Sequence, residues 1–295
     1  MKRYRFSTLG DEQKLYEQRM AGEMCLYGLP IIARLDGRGF HNFTKGLKRP
    51  YDENLSFCMR HTARALLEAT HCDIAYTQSD EITLIWTNEY NQGKESKAFF
   101  NGKVQKMVSV LAATATMEFN RLISRILPEE YFDRKPMFDC RVWQVPNLEV
   151  AAENLLWREM DATKNSITMA ASAYYPHAEL EGKHSGDKHE MLFQKGINWN
   201  DYPDFFKKGV YITKRTVMRE LDPVTLEKIP EAHRPTGPIE RNVVVELEIP
   251  KATSIENLVE VFFHGKEPIC SSSTDSGNQP SEMMQSLDSS ETIVS

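Results

Sequence analysis

The order of the apolar segments is the feature that most narrows the folds open to this chain. Two segments keep apolar side chains at the helical spacing i, i+3, i+4, i+7, and each lies between short apolar runs that predict strands. The first helix is expected to open at Pro50 and Asp52 and to bury a face that includes Leu55, Met59 and Ala63. In chain order, the pattern predicts a strand at 30–35, that helix, strands at 74–76 and 82–86, a helix at 104–126 and a strand at 138–145.

Strand, helix, strand, strand, helix, strand is the ferredoxin-like order βαββαβ, an antiparallel sheet with helices on one face. We therefore expect an α+β fold in which residues 1–146 form one domain and residues 147–268 form a C-terminal extension packed on it. The extension is expected to be helical at 149–175, to contain strands at 211–212 and 243–249, and to form a loop at 222–238. Residues 269–295 are Ser-rich with little apolar content, which predicts a disordered tail.

Two short acidic clusters follow the predicted strands. Asp36 lies in the run RLDGR (34–38), and Asp80 and Glu81 lie in QSDE (78–81). In the ferredoxin-like order the tip of the hairpin lies beside the end of the first strand, so these carboxylates should converge. Either cluster alone is also typical of a solvated turn. Together they predict a metal-dependent nucleotidyl-transfer site, because Mg²⁺ prefers hard oxygen ligands and two such ions can stabilise the attacking and leaving oxygens of a phosphoryl displacement.

Composition excludes few classes of function. The net charge is −6, but four of the negative charges lie in the Ser-rich segment 269–295. Basic residues such as Lys45, Lys48, Arg49 and the pair Lys207 and Lys208 can contact phosphates or be solvated surface charges. The global charge therefore does not exclude a nucleic-acid partner.

Cysteine usage and hydropathy predict the compartment. The five cysteines are scattered and form no C-x-x-C pair, which disfavours a disulfide framework or a zinc site and fits a reducing cytoplasm. No run approaches the roughly 20 apolar residues of a membrane span. No apolar segment follows the basic residues at the N-terminus, so a secretory signal is not expected.

Five motifs in sequence order resemble landmarks of the tRNA(His) guanylyltransferases and their 3′-to-5′ polymerase relatives. The resemblance runs from about residue 27 to residue 212. Each motif alone is a weak signal, whereas five in the same order at plausible spacing are a strong one. The motifs are IARLDGRGFHNF (32–43), AYTQSDE (75–81), FDCRV (138–142), WREMD (157–161) and HEMLF (189–193), the last followed by GINWN (196–200) and KG (208–209).

The resemblance implies a palm-like catalytic domain, related to polymerases and nucleotide cyclases, that adds a nucleotide, normally G, to the 5′ end of tRNA. ATP would adenylylate the 5′-monophosphate of the tRNA, the 3′-hydroxyl of GTP would attack the activated phosphate, and pyrophosphate would be released. The implied cofactors are two Mg²⁺ ions. The implied partners are tRNA, ATP and GTP, and the implied assembly is a homotetramer.

The resemblance also assigns roles to residues of this chain. Asp36 and Asp80 would bind both metal ions, with the backbone carbonyl of Gly37 as a further ligand, and Glu81 would be a supporting catalytic carboxylate. Lys106 would bind the triphosphate. The nucleotide would be lined by Asp36, Gly37, Arg38, Gly39, Phe40, His41, Ser79 and Asp80.

One departure from the family pattern leaves the substrate open. Eukaryotic members specific for tRNA(His) carry the run HINN after the WR…D landmark, whereas this chain reads ATKNS at 162–166 and keeps one Asn. Templated 3′-to-5′ repair of truncated tRNA 5′ ends is therefore an alternative. Asp161 and Asn165 lie one helical turn apart, and they either form a polar face or contact the activated 5′ end.

Two other functions share the metal pair or the fold. A nucleotidyl cyclase would attack its own triphosphate and need no RNA, but the long C-terminal half with its own landmarks disfavours it. A nucleotide-binding sensor would have lost catalysis, but the retention of both Asp36 and Asp80 disfavours that reading. His177, His184 and His189 have no metal-ligand spacing and are expected at the surface.

Overall fold

The computed structural model describes residues 6–88 and 99–270, which contain one antiparallel sheet of six strands. The strands lie in the order β4-β1-β3-β2-β5-β6, so that β5 and β6 extend the sheet beyond β2. The predicted succession of the first four strands and the two long helices between them is present. The strands are β1 (Ile31–Arg38), β2 (Ile74–Gln78), β3 (Glu81–Trp86), β4 (Met137–Gln144), β5 (Val210–Arg219) and β6 (Ile239–Glu246).

Helices cover both faces of this sheet. Within the described residues, no helix is long and apolar enough to cross a membrane. The predicted disordered tail falls outside the described residues except for its first two positions. The helices are α1 (Phe6–Ala21), α2 (Phe40–Phe43), α3 (Glu53–Thr70), α4 (Val104–Ile126), α5 (Glu129–Phe132), α6 (Leu148–Ser172), α7 (His177–Leu180), α8 (Ser185–Gln194), α9 (Asp204–Lys207), α10 (Pro223–Glu227) and α11 (Leu258–Phe263).

Helix α3 begins at the cap that the sequence predicts. The Asp52 carboxylate accepts hydrogen bonds from the backbone N–H groups of Asn54 and Leu55, at 3.0 Å each, and so satisfies two donors that a helix start leaves unpaired. The helix ends at Thr70, because His71 adopts the left-handed conformation with φ 54°.

The larger core lies between the sheet and the pair α3 and α4. Alternate residues of the strands point into it, as the period of two requires, among them Ile31, Ala33 and Leu35 of β1. Helix α4 has the bounds that its spacing predicts. It contributes a fully buried row consisting of Met107, Leu111, Ala115, Phe119 and Ile123.

Helices α6 and α11 cover the opposite face of the sheet. Helices α3 and α4 therefore lie on one face as predicted for the βαββαβ part, and the helices on the other face come from residues 147–268. The physical reason is that the other face of the strands is also apolar. Ile32, Ile74, Tyr76 and Ile85 are buried in a second cluster, and residues after 146 supply its other half, including Ala151, Leu155, Tyr211 and Phe262.

The C-terminal residues also add two strands to the sheet, and here the predicted bounds are wrong. The strand expected at 211–212 is the ten-residue β5, and the strand expected at 243–249 begins earlier, as β6. Their register runs from Ile212 opposite Glu246 to Arg219 opposite Ile239. Many of these side chains are polar and exposed, so apolar alternation does not mark the strands. The predicted loop at 222–238 contains the short helix α10.

Candidate active site

The two acidic clusters meet at one end of the sheet. In the register of β1 with β3, Asp36 lies directly opposite Glu81. The backbone N–H of Gly37 donates a 3.0 Å hydrogen bond to the carbonyl of Asp80. The other neighbour of β1 places Asp139 opposite Asp36. The convergence predicted from the strand order is therefore present.

Asp80 occupies a two-residue turn between β2 and β3. Ser79, the first turn residue, has a φ of 49°, in the left-handed region that non-glycine residues adopt at a cost of roughly 1–3 kcal/mol. The Thr77 hydroxyl stabilises the turn by donating to the Glu81 carbonyl at 2.9 Å. Burial raises the pKa of Asp80, and the charge of Asp36 raises it further. A hydrogen bond with the Ser79 side chain opposes this shift. The charges of the Asp36 and Asp80 carboxylates thus act on each other at the strand end.

This pair suits Mg²⁺ in its chemistry. The donors are hard carboxylate oxygens, and Mg²⁺ is commonly bound through one or two carboxylates, while waters and substrate phosphates supply its other ligands. In the part of the chain that the structure describes, no group of three or more His, Cys, Asp or Glu side chains forms a complete metal cage. Asp36 and Asp80 therefore fit an ion that arrives with a nucleotide better than a permanently caged ion.

Glu81 is engaged by an arginine of α6. Both of its carboxylate oxygens accept hydrogen bonds from Arg158, at 2.7 Å from Nε and 2.8 Å from Nη2. The same Nη2 lies 3.0 Å from a carboxylate oxygen of Asp161, which also accepts a bond from Asn165 at 3.1 Å. Burial raises the pKa of Glu81, and the Arg158 charge opposes that shift. This carboxylate is therefore already paired within the protein.

A cavity of about 460 Å³ opens beside Asp80. It lies between the sheet end, the start of α3, the C-terminal half of α6 and the segment around α9. Its sheet side presents Ser79 and Asp80, and its α6 side presents Asn165 and Met169. The predicted residues Phe40 and His41 line the same cavity.

The walls of the cavity combine positive charge with aromatic surface. Lys48 and Arg49 lie on the loop that leads into α3 and are exposed. Tyr51 packs against Phe205 and Phe206, with ring centroids 5.3 and 5.1 Å from its own. Cations attract phosphates, and aromatic rings stack on nucleobases. The cavity therefore presents cations to the phosphates of a nucleotide and aromatic rings to its base.

The segment between β1 and α2 is shaped by its glycines and by Phe40. A Cβ at Gly37 would overlap the ring of Phe40, and Gly39 has a φ of 67° in the left-handed region. Phe40 is buried and packs against other phenylalanines of the core, so it acts mainly by fixing this loop. Arg38 and His41 are exposed on either side of it.

Lys106 lies away from this site within the chain. Strand β3 runs from Glu81, opposite Asp36, to Trp86 at the far end of the sheet. Helix α4 starts at that far end, where Phe99 stacks on Trp86, and the Lys106 ammonium lies 4.7 Å from the ring centroid of Phe100. The helix then returns toward Asp36, so its first turn is separated from the carboxylates by the length of the sheet.

The remaining polar residues predicted from sequence divide into two groups. His177 and His184 are exposed, as expected, whereas His189 is half-buried with its ring 5.3 Å from that of Trp199. Asp161 and Asn165 face the site and bond to each other.

Sequence reasoning missed the aromatic wall and the role of Arg158. The run FFKK at 205–208 was the available signal for the wall, because aromatic and basic residues are adjacent in it.

Comparison with known proteins gives a family match and relatives of the same description. A model of the tRNAHis guanylyltransferase family matches residues 11–146. The chain is 31% identical over 202 residues to tRNA(His) guanylyltransferase of Saccharomyces cerevisiae, which covers 63% of this chain and 82% of that protein. It is 32% identical over 199 residues to the enzyme of the same name from Schizosaccharomyces pombe, covering 61% and 71%.

Solved structures agree. A bacterial tRNA(His) guanylyltransferase-like protein in complex with ATP matches with a TM-score of 0.64 and 35% identity, over 70% of this chain and 87% of that one. A bacterial protein of the same description in complex with GTP matches with a TM-score of 0.66 and 28% identity, over 85% and 99%.

Proposed function

The chain belongs to the tRNA(His) guanylyltransferase family, and from that premise we propose that it is a nucleotidyltransferase that adds a nucleotide, G, to the 5′ end of tRNA. ATP adenylylates the 5′-monophosphate and releases pyrophosphate, and the 3′-hydroxyl of GTP then attacks the activated phosphate and displaces AMP. Hydrolysis finally removes pyrophosphate from the 5′-triphosphate of the added G. Relatives bound to ATP and to GTP support the choice of nucleotides.

One observation carries the proposal: Asp36 and Asp80 converge at one end of the sheet, and Asp80 lines a cavity that suits a nucleotide. The backbone bond between Gly37 and Asp80 fixes their spacing. The cavity volume lies within the roughly 300–1,000 Å³ of small-molecule sites. Phosphates of a nucleotide in this cavity would lie beside the carboxylate pair.

Asp36 and Asp80, with the carbonyl of Gly37, would hold two Mg²⁺ ions. When bound, these ions supply the positive charge that stabilises the attacking and leaving oxygens of phosphoryl transfer. The protein contributes the fixed spacing of its carboxylates. The Asp36 charge beside the half-buried Asp80 favours cation binding there, because a cation relieves the repulsion between two carboxylates.

The nucleotide would lie with its phosphates toward Asp80 and its base toward Tyr51. His41 and Ser79 border the phosphate end of the cavity, with Lys48 and Arg49 as its cations. We retain Arg38 and Gly39, in the segment between β1 and α2, as residues that flank the nucleotide. Lys106 is too distant to bind the triphosphate of the same chain, so that role would require a neighbouring subunit.

We further propose that residues 1–146 are a polymerase- and cyclase-type palm, on which residues 147–268 pack. The antiparallel order β4-β1-β3-β2, with α3 and α4 on one face, supports this reading. A homotetramer is proposed from the family resemblance alone, and light scattering of the full chain tests it.

A second substrate class is favoured by the ATKNS segment. Ser166 accepts a bond from the Trp199 indole N–H at 3.2 Å and its hydroxyl donates to the Thr163 carbonyl, while Asn165 donates to Asp161. Ser166 is thus engaged within the protein, and Asn165, which lines the cavity, is the single asparagine that segment 162–166 keeps. Templated repair of truncated 5′ ends is therefore the alternative substrate choice.

The test uses two 5′-monophosphorylated RNAs, tRNA(His) lacking its extra G and a tRNA shortened at its 5′ end, each with ATP, the four nucleoside triphosphates and Mg²⁺. Extension of tRNA(His) alone supports guanylyl addition, and preferred extension of the shortened tRNA supports repair. Cyclic nucleotide without RNA extension would contradict both. Asp36→Asn and Asp80→Asn should each lower the rate about a thousandfold, because a lost metal ligand removes several kcal/mol of transition-state stabilisation. Asp11→Asn, at an exposed position of α1, should leave it unchanged.

A further inference from the structure

We infer that Arg158 is a positioning residue, which locks Glu81 and thereby fixes the carboxylate pair relative to the α6 wall of the nucleotide cavity. This inference rests on the proposed function, because it concerns the same site. It also gives Glu81 a role other than metal binding.

The first argument is the geometry of the pair. The Arg158 guanidinium presents two parallel N–H groups to the two oxygens of Glu81, at 2.7 and 2.8 Å. The side chains are only 6% and 10% exposed. Such a fork-to-fork contact in a buried place fixes orientation as well as distance. A Glu81 held in this way has little freedom to turn toward a cation.

The second argument is the place of Glu81 in the sheet. It is the first residue of β3, it follows Asp80 directly, and it lies opposite Asp36 in the register. A displacement of Glu81 therefore shifts both proposed metal ligands. Mg²⁺ requires near-ideal octahedral geometry, so small changes in ligand spacing weaken its binding.

The third argument is that Arg158 joins the sheet end to the cavity wall. Its Nη2 also contacts Asp161, which holds Asn165, and Asn165 lines the cavity. The guanidinium lies 4.4 Å from the ring centroid of Trp157, which supports it on another side. A continuous path of bonded groups thus connects the metal edge with the surface on which the nucleotide lies.

The guanidinium itself is required for this arrangement. A lysine at 158 would carry the same charge, but its single ammonium cannot span both Glu81 oxygens and still reach Asp161. Arg158→Lys therefore separates positioning from charge. Arg215→Lys is the matched control, because Arg215 is a half-buried arginine that ties β5 to α11 through the Val261 carbonyl, at 3.0 Å, away from the carboxylates.

The experiment makes three measurements on the full chain. Electron paramagnetic resonance measures Mn²⁺ binding in the presence of ATP, and calorimetry measures the binding of ATP without metal. Steady-state assays give kcat and KM for tRNA extension. Arg158→Lys is expected to weaken Mn²⁺ binding about tenfold, to keep metal-free ATP binding within twofold, and to lower kcat about a hundredfold, since small misplacements of reacting groups cost about that much. Arg215→Lys should change the melting temperature only.

Glu81→Gln separates positioning from direct metal binding. It keeps one acceptor for Arg158, so the inference expects a milder loss of Mn²⁺ affinity than Asp80→Asn causes. An equal loss in Glu81→Gln and Asp80→Asn, or unchanged Mn²⁺ binding and kcat in Arg158→Lys, would overturn the inference.

A second variant applies if Arg158→Lys does not fold. Replacing Glu81 and Arg158 together by Met removes both buried charges, a change that proteins often tolerate. A folded double variant whose Mn²⁺ affinity falls, but by less than in Asp80→Asn, supports the inference. Wild-type Mn²⁺ affinity, or a loss equal to that of Asp80→Asn, overturns it. The binding measurements need no tRNA, so failure of the wild-type chain to extend tRNA would defeat the proposed function while leaving this inference testable.

Discussion

At the scale of single residues, Gly37 meets two demands. Its backbone N–H donates a hydrogen bond to the Asp80 carbonyl, and its lack of a side chain leaves room for the ring of Phe40. That ring cannot move aside, because it lies 5.1 Å from the centroids of Phe43 and Phe138. A side chain at this position would therefore disturb the catalytic edge and the core together.

Gly37→Ala is expected to lower the free energy of unfolding by about 1–3 kcal/mol, the usual cost of overpacking. It should also lower the tRNA-extension rate, because the spacing of Asp36 and Asp80 changes. Urea unfolding followed by circular dichroism measures the first effect, and the extension assay measures the second.

The control for this prediction is Gly237→Ala, since a Cβ at Gly237 meets open space. Adding Phe40→Leu to Gly37→Ala should recover part of the lost activity by making room for the new methyl group. If Gly37→Ala matches Gly237→Ala in both stability and activity, the crowding argument is wrong.

At the scale of elements, the start of α3 joins helix stability to the cavity. Asp52 caps the helix and also accepts the Lys48 N–H at 3.3 Å, on the loop that lines the cavity. The loop conformation and the first turn therefore depend on one carboxylate.

Asp52→Ala should destabilise the protein by about 1–2 kcal/mol, because the cap bonds are lost. It should also raise the KM for ATP, since Lys48 loses its anchor. Asp52→Asn keeps an acceptor oxygen and should stay close to wild type. Chemical unfolding and steady-state kinetics compare the three proteins, and equal behaviour of Ala and Asn would contradict the capping role.

Helix α6 is tied to the C-terminal segment through a buried carboxylate, Glu159. It accepts the Ala252 N–H at 2.8 Å and the Tyr211 hydroxyl at 2.9 Å. Burial raises the pKa of Glu159 in the folded protein. The folded state thus retains a proton over a pH range in which the unfolded chain has lost it, so the free energy of unfolding falls as pH rises through that range.

The range begins at about pH 4, near the ordinary pKa of glutamate, and extends to the raised value. Asp80 and Glu81 have raised pKa values and contribute with the same sign. Glu159→Gln should therefore reduce, and not abolish, the decline of stability above about pH 4. Urea unfolding at a series of pH values measures it, with the exposed Glu190→Gln as the control. An unchanged slope in Glu159→Gln would rule out this carboxylate as a source.

At the scale of the whole molecule, the sheet continues past residue 146. Strand β2 pairs with β5, and its buried Ile74 and Tyr76 face the second core built from residues after 146. Residues 1–146 alone would thus expose one apolar face and one strand edge, which favours association.

A fragment of residues 1–146 is expected to aggregate or to unfold without cooperativity, whereas the full chain unfolds cooperatively. Size-exclusion chromatography and urea unfolding compare the two. A monomeric fragment with a sharp transition would show that the first four strands form an independent folding unit.

The sequence by itself determined the order of the first four strands and of the two long helices between them. Helical spacing fixed the bounds of α4, and the strand order required Asp36 to meet Asp80, because neighbouring antiparallel strands bring the end of one beside the turn of the next. Those features depend on local periodicity and topology, which are written in the sequence.

The tertiary structure decided what depends on contacts between distant segments. The pairing of Glu81 with Arg158 joins residues 77 positions apart, and Tyr51 packs against Phe205 in the wall of the cavity. The start of α4 at the far end of the sheet separates Lys106 from the site. No local pattern reports such distances, because they follow from how the helices cross the sheet and which buried charges must be paired.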